Sequence, residues 1–289
     1  MKKVFAMLVI FGLIGLTTNL QADPWTKSLD TDFTLTQNSY SDNWTGGEAG
    51  NISWVWNANG IFEKQFYPKF KFKNTSKFSF GQTHIQDKTT KNWAKPEKST
   101  DLIDIENLGL FTLQSYVDPF VGLRFESQFL DASVPSINRY LSPVKITESA
   151  GAARQFYKTD NIDLLSRLGF AIRQIITKNI LDAQAKTTET KTTNDGGIEF
   201  VADLKKTLSE TLSYTSKLSL YKALFFSESE TVVEDHWKAV DINWENRISA
   251  SVAKYVAVSL YMQLLYDKEI SFKGRFKQTL ALGLTYKMF

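Results

Sequence analysis

Apolar and polar residues alternate along almost the whole chain, and this alternation is the feature that most constrains the fold. In residues 69–80, KFKFKNTSKFSF, the phenylalanines occupy even positions and the lysines odd ones. A strand sends successive side chains to opposite faces, whereas a helix would spread them around its circumference. The segment therefore predicts a strand with Phe70, Phe72, Phe78 and Phe80 on one face and Lys69, Lys71, Lys73, Thr75 and Lys77 on the other.

The same alternation returns in seven later segments, and charged residues of both signs stand on the polar face near mid-segment. A soluble β-sandwich would turn that face to solvent, whereas a membrane barrel would turn it to a wet lumen, so alternation alone leaves both folds open. The segments are 103–113, 121–129, 162–173, 198–205, 240–248, 256–264 and 279–286.

The N-terminus has the layout of a secretory signal peptide. Lys2 and Lys3 precede an apolar run from Val4 to Leu16, and a polar stretch ends at Ala22. The apolar run is short for a spanning helix of about 20 residues. We therefore expect a signal peptide over 1–22, cleaved after Ala22, and a mature domain over 23–289. An uncleaved membrane anchor is the alternative.

Composition removes several functional classes. Two of the 34 Lys and Arg residues lie in the predicted leader, so the mature chain has 32 basic residues and 31 acidic ones. This near-neutral balance argues against nucleic acid as a partner. The chain has no cysteine, which excludes disulfides and thiolate metal sites.

No stretch of the mature chain approaches 18 consecutive apolar residues, so within a membrane only a closed barrel could form. Short connections (67–68, 118–119, 159–160, 209–210) alternate with longer polar ones (41–50, 87–100, 132–143, 177–195, 226–231, 267–274), as outer-membrane barrels require. The pattern predicts an all-β, antiparallel transmembrane β-barrel of about twelve strands, with both termini periplasmic. This even number includes the weakly alternating segment 144–157. Loop 177–195 is expected to be mobile and solvated.

Aromatic residues near the segment ends indicate the membrane interface, where amphipathic rings are favoured. They are Trp54, Trp56, Tyr116, Phe120, Trp237, Tyr255, Tyr266 and Tyr286. The ending LALGLTYKMF resembles the terminal signature that the barrel-assembly machinery of bacterial outer membranes recognises. That resemblance makes Tyr286 and Phe289 the candidate assembly signal, although Phe289 falls out of register with the alternation.

Several segments together resemble a family of exported bacterial proteins of unknown function. They are SDNWTGGEAG (41–50), FESQF (125–129), YLSP (140–143), GIEF (197–200), WKAVDINWEN (237–246) and LALGLTYK (280–287). The resemblance implies an outer-membrane β-barrel without an established activity.

The charged positions of the polar faces are the candidate lumen-lining residues: Lys71, Lys73, Lys77, Asp104, Glu106, Arg124, Glu126, Asp163, Arg167, Arg173, Asp241, Glu245 and Arg247. We expect the lysines of 69–80 to pair with Asp104 and Glu106 of the next strand. In a hydrated lumen these charges would set the selectivity of a passive channel or solute-uptake barrel, which is the favoured interpretation. The alternative is a structural or assembly barrel whose lumen the same charges close by pairing.

An enzyme is the least supported class. The two histidines, His84 and His236, lack metal-ligand spacing, and Ser127, Ser166 and Ser216 share no strand with a histidine. We expect no catalytic activity and no cofactor. The expected partners are outer-membrane lipid, the assembly machinery and a possible small solute.

Overall fold

The computed structural model describes residues 25–40, 49–134, 136–182, 184–230 and 235–287. Within these ranges no helix is long and apolar enough to cross a bilayer. The chain is built almost entirely of strands: β1 (Thr26–Asn38), β2 (Asn51–Tyr67), β3 (Phe70–Ile85), β4 (Glu97–Leu110), β5 (Asp118–Ser127), β6 (Leu130–Asp131), β7 (Arg139–Tyr140), β8 (Val144–Lys158), β9 (Ile162–Asp182), β10 (Thr187–Thr207), β11 (Leu212–Phe226), β12 (Val240–Ala253), β13 (Val256–Asp267) and β14 (Ser271–Lys287).

Twelve of these strands form one closed antiparallel barrel. Its order is β1-β2-β3-β4-β5-β8-β9-β10-β11-β12-β13-β14, and β14 returns to pair with β1. The predicted fold and strand number are confirmed, including the weakly alternating segment that forms β8. Strands β6 and β7 form a separate two-stranded sheet within the connection between β5 and β8.

Connections of unequal length distinguish the two ends of the barrel. The short-turn side carries residues 68–69, 111–117, 159–161, 208–211 and 254–255, and the loop side carries the others. Because the number of strands is even, β1 begins and β14 ends on the short-turn side. Asp118 and Pro119 were predicted as a connection but instead begin β5. The turn before β5 is stabilised by a hydrogen bond from the Leu113 amide to the Asp118 carboxylate.

Four predicted loops have different bounds in the structure. Segment 177–195 is mostly strand, since β9 and β10 continue as a hairpin with only residues 183–186 between them. Its polarity misled the prediction: Thr190 and Thr192 suit a β-strand whose faces are both exposed, and such strands need no apolar alternation. Residues 86–96, 227–239 and 268–270 replace the predicted loops 87–100, 226–231 and 267–274. The connection 227–239 contains a 3₁₀ turn over Asp235–Lys238.

The outer surface of the barrel is apolar and aromatic. Leu280, Leu282 and Leu284 are each more than 60% exposed, and contiguous exposed apolar surface is rare on water-soluble monomers. On β3 the predicted outward phenylalanines contact other outer-face rings: Phe70 lies against Phe111, and Phe80 against Trp54. The barrel thus presents lipid with the surface that a transmembrane barrel requires.

Two of the aromatic residues assigned to the membrane interface lie elsewhere. Phe120 is 3% exposed and packs with Leu108 and Leu165 on the inner side of the barrel. Trp237 packs against Tyr221 and its buried neighbours. Both positions lie close to strand ends, and closeness to an end does not reveal whether a ring points inwards or outwards. Tyr255 and Tyr286, by contrast, stack on each other with ring centroids 6.5 Å apart.

Candidate functional site: an ionic layer across the lumen

The register of the barrel turns the polar face of each strand inwards and brings charges from distant strands together. Lys217 on β11 donates to Glu106 on β4, with Nζ and Oε2 2.8 Å apart. Around the barrel, four strands separate β4 from β11 in one direction and six in the other. This contact therefore joins opposite walls, and the side chains are only 11% and 15% exposed.

A second contact crosses the lumen between β3 and β12. The Nζ atom of Lys77 lies 3.0 Å from Oε2 of Glu245. Four strands again separate the two in the shorter direction. Although Lys77 faces Asp104 in the β3–β4 register, it extends across the lumen instead of pairing with that neighbour as predicted. The cause is that Arg124 already engages Asp104.

Arg124 holds Asp104 with two parallel hydrogen bonds, from Nε at 2.8 Å and from Nη2 at 3.0 Å. The same guanidinium lies 3.2 Å from Glu126, which in turn pairs with Lys145 at 3.1 Å. A bidentate arginine–carboxylate pair is stronger and more directional than an ammonium contact. The connected ion pairs on β4, β5 and β8 therefore occupy Asp104, and Lys77 pairs with a carboxylate on the opposite wall.

Glu106 is the centre of the layer because it receives two cations. Arg167 on β9 donates to its Oε1 at 2.7 Å while Lys217 occupies Oε2. Arg167 also lies 3.4 Å from Asp203 on β10. We call the residues joined by these contacts the ionic layer: Lys77, Asp104, Glu106, Arg124, Glu126, Lys145, Arg167, Asp203, Lys217 and Glu245.

A smaller cluster lies nearer the loop side. Arg173 donates from Nε to Asp195 and from Nη1 to Asp241, both at 2.8 Å. The Tyr221 hydroxyl donates to Asp195 at 2.5 Å, and the Arg173 guanidinium lies 3.5 Å from the centre of the Tyr221 ring. Trp237 from the 3₁₀ turn packs against this cluster. An aromatic and charged group therefore fills this part of the lumen.

The short-turn end of the lumen is different because apolar side chains form its floor. Leu108, Leu110, Phe120 and Leu165 make a buried cluster with Ala153. A cavity of about 250 Å³ opens beside them and is lined by Gln65, Lys71, Leu110, Thr112, Asp118, Ala153, Gln155, Lys158 and Leu165.

The other predicted lumen residues lie outside the ionic layer. Lys71 pairs with Glu63 on the adjacent strand at 2.6 Å, and Asp163 pairs with Lys158. Lys73 faces Glu63 in the β2–β3 register. The Arg247 guanidinium lies 5.6 Å from the centre of the Tyr261 ring.

Several residues of the site were not among the predicted candidates. Lys145, Asp195, Asp203, Lys217 and Tyr221 all take part in the contacts above. Asp203 does stand on the polar side of the alternating segment 198–205, so the signal was present for it, whereas Lys217 lies outside the segments identified from the sequence. Asp195 lay within the segment predicted as a loop, which hid its place in a strand.

Two of the residues weighed for catalysis have other contacts. Ser216 accepts a hydrogen bond from Trp244 on the outer face, and the His236 ring packs edge-on against Phe272. Among the described residues there is no group of three or more His, Asp or Glu side chains placed to hold a metal ion. Tyr286 lies on the exposed outer face of β14, whereas Phe289 lies outside the described residues.

Comparison with known proteins supports the family resemblance over one part of the chain. Residues 35–132 match the model of a family described as a protein of unknown function (DUF3078). No curated protein matches the chain.

Solved outer-membrane barrels resemble it at low sequence identity. An outer membrane channel from Pseudomonas putida F1 is 10% identical, with 94% of this chain and 96% of that one covered and a TM-score of 0.40. The translocator domain of the autotransporter NalP from Neisseria meningitidis is 9% identical, with 91% and 87% covered and a TM-score of 0.34. The beta domain of the Bordetella autotransporter BrkA is 9% identical, with 92% and 99% covered and a TM-score of 0.35.

Proposed function

We propose that this protein is an outer-membrane barrel whose lumen is held shut by ion pairs between opposite walls, with both termini in the periplasm. It is a structural or assembly barrel and not an open passive channel. The contact that carries the proposal is Lys217 to Glu106, which spans the barrel at 2.8 Å. The contact between Lys77 and Glu245 supports it independently.

The charge balance of the ionic layer also supports closure. Five acidic residues meet five basic residues within it. A selective pore places an excess of one sign along its path so that ions of the other sign enter. Here each charge is neutralised by a neighbour, and a solute would have to break pairs in order to pass.

Conductance measurements test the closed lumen. In planar bilayers the parent barrel should pass no steady current, and liposomes that contain it should not swell in sugars of graded size. The double variant Lys77→Ala/Lys217→Ala removes both cations that cross the lumen and should conduct. The matched control is Lys71→Ala/Lys158→Ala, because each of these lysines pairs with an acid on the adjacent strand and not across the lumen. Swelling with the parent protein would contradict the proposal.

A gated solute channel is the second candidate. The cavity of about 250 Å³ at the short-turn end favours it, since a solute could bind there beneath the ionic layer. Brief openings of the parent barrel under applied voltage would support gating. If the parent barrel passes no current at any voltage, the gated channel is excluded and the structural role is supported.

Cellular location has its own test. We expect the mature protein to begin at Asp23 and to fractionate with the outer membrane. N-terminal sequencing and membrane fractionation measure both. Recovery of the folded protein in the soluble periplasm would contradict the location.

A further inference from the structure

The ladder that closes the barrel is much shorter than the others. Strands β1 and β14 pair over four positions only, from Asp30 opposite Lys287 to Phe33 opposite Leu284. Every other neighbouring pair in the barrel shares at least eight positions. Strand β1 continues to Asn38, yet its residues 34–38 have no ladder partner on β14. Residues 279–283 of β14, which the same register would place opposite residues 34–38, likewise have none on β1.

The two strands separate just beyond this ladder. At Gly283 they are still in contact, because an added Cβ there would meet the Thr34 hydroxyl at 2.7 Å and the Phe33 carbonyl at 3.0 Å. From residue 280 back to residue 276, every side chain of β14 is exposed, inward-facing positions included. We call this gap between β1 and β14 the lateral opening.

The lateral opening reaches into the lipid-facing part of the wall. A tilted strand crosses the hydrocarbon core in about 9 to 11 residues. The outward side chains of β14 from Tyr286 back to Phe276 span such a length, and all of them except Gln278 are apolar. Backbone groups left without partners in hydrocarbon are strongly destabilising, so an edge in this position needs a polar partner.

The loop-side rim of the lateral opening is basic, because the continued β1–β14 register places Thr279 opposite Asn38, the last residue of β1, and the next inward positions of β14 are cationic. Lys273, Arg275 and Lys277 take alternate positions on β14 and share the inward face with Thr285. None of the three forms an ion pair among the described residues, unlike the cations of the ionic layer. The Nε atom of Arg275 is buried without a hydrogen-bond partner, and the Lys277 ammonium lies 3.5 Å from the Thr100 hydroxyl. Three cations at an opening of the wall provide a site for an anionic group.

We propose that the lateral opening admits a membrane lipid with an anionic headgroup. The headgroup enters the loop-side lumen and binds Lys273, Arg275 and Lys277, while the acyl chains remain outside against Leu35 and Leu280. The positive charge of the site favours an anionic headgroup, and the exposed apolar residues of β1 and β14 bind the acyl chains. This binding site goes beyond the proposed function, since a barrel with a closed axial path could still exchange lipid through its side.

Lipid retention measured by native mass spectrometry tests the site. The full-length mature barrel is folded in an equimolar mixture of phosphatidylglycerol and phosphatidylcholine and then transferred to detergent. We expect the parent to retain phosphatidylglycerol at least tenfold over phosphatidylcholine. The variant Lys273→Gln/Arg275→Gln/Lys277→Gln should lose that preference. The variant Lys186→Gln/Lys191→Gln/Lys238→Gln removes the same charge from exposed positions elsewhere on the loop side and should keep it.

A reversible cross-link makes the test independent of charge. Continuing the β1–β14 register would place Thr36 opposite Ala281, and the chain has no cysteine of its own. Oxidised Thr36→Cys/Ala281→Cys should hold the strands together and reduce retention, and reduction should restore it. Equal retention by the parent and by the Lys273, Arg275 and Lys277 variant would overturn the proposal. So would full competition by inorganic phosphate, or a co-purified peptide in place of lipid.

Discussion

The ammonium of Lys217 on β11 lies 2.8 Å from a carboxylate oxygen of Glu106 on β4, although the two residues stand on opposite walls of the barrel. Glu106 also binds Arg167 through its other oxygen. A pair that crosses a lumen can exist only if water and solute do not occupy the same space. If the lumen is closed as proposed, its charges should behave as buried groups.

Removing one partner of this contact should be costly. Lys217→Met leaves the buried Glu106 with a single cation, and breaking a buried pair costs about 3–5 kcal/mol. Urea unfolding in lipid vesicles measures the free energy. The control is Lys191→Met, whose pair with Glu228 is solvent-exposed and worth about 0–1 kcal/mol. Equal losses for both variants would mean that the lumen is hydrated.

The outer face of β3 should resist charge. Phe78 lies opposite Ile103 in the ladder and belongs to the apolar exterior. Phe78→Lys should cost about 2–4 kcal/mol if this position lies near the bilayer midplane. Phe72→Lys should cost less, because Phe72 is close to the turn at Pro68, from which a lysine reaches the interface. Unfolding curves in vesicles compare the two variants. A larger loss of unfolding free energy for Phe72→Lys would mean that Phe72, and not Phe78, lies nearer the bilayer midplane.

A glycine pair fixes the approach of β8 to β9. Gly151 faces Gly169 in the register, and a Cβ on Gly151 would meet the Leu168 carbonyl oxygen at 2.3 Å and the Gly169 Cα at 2.4 Å. Backbone atoms cannot rotate away, so Gly151→Ala should cost about 1–3 kcal/mol as an overpacking change. Heat-modified mobility on gels and urea unfolding report the loss. Ala152→Val, on the exposed side of the same strand, should be nearly neutral.

The C-terminal residue should matter for assembly more than for stability. Deleting Phe289 should lower the yield of folded barrel in cells and leave protease-sensitive chain, if the ending is the assembly signal that it resembles. The same truncated chain refolded in detergent should unfold like the parent. An unchanged yield in cells would mean that Phe289 is not the assembly signal and that Met288 or Tyr286 carries it. A lower yield of Tyr286→Ala would then assign the signal to Tyr286.

The alternating pattern was enough to predict strands and the face on which each side chain lies, since side-chain direction in a strand depends only on position along the chain. Lys77, Glu106 and Arg167 were identified as inward residues for that reason. The lengths of the connections were needed to choose a barrel over a soluble sandwich. Loop 177–195 was predicted wrongly because strands that leave the membrane need no apolar face. Phe120 was assigned to the wrong environment because an aromatic ring suits either a membrane interface or an apolar lumen floor.

The sequence by itself determined that the chain forms strands with a charged face and an apolar face, because both properties are local. Only the tertiary structure decided that Lys217 meets Glu106 and that Lys77 passes its register neighbour Asp104 to reach Glu245. Closure of twelve strands brings residues more than a hundred positions apart within hydrogen-bonding distance, and no local pattern encodes which walls face each other. The short ladder between β1 and β14 is likewise a property of closure, since it depends on where the first and last strands meet.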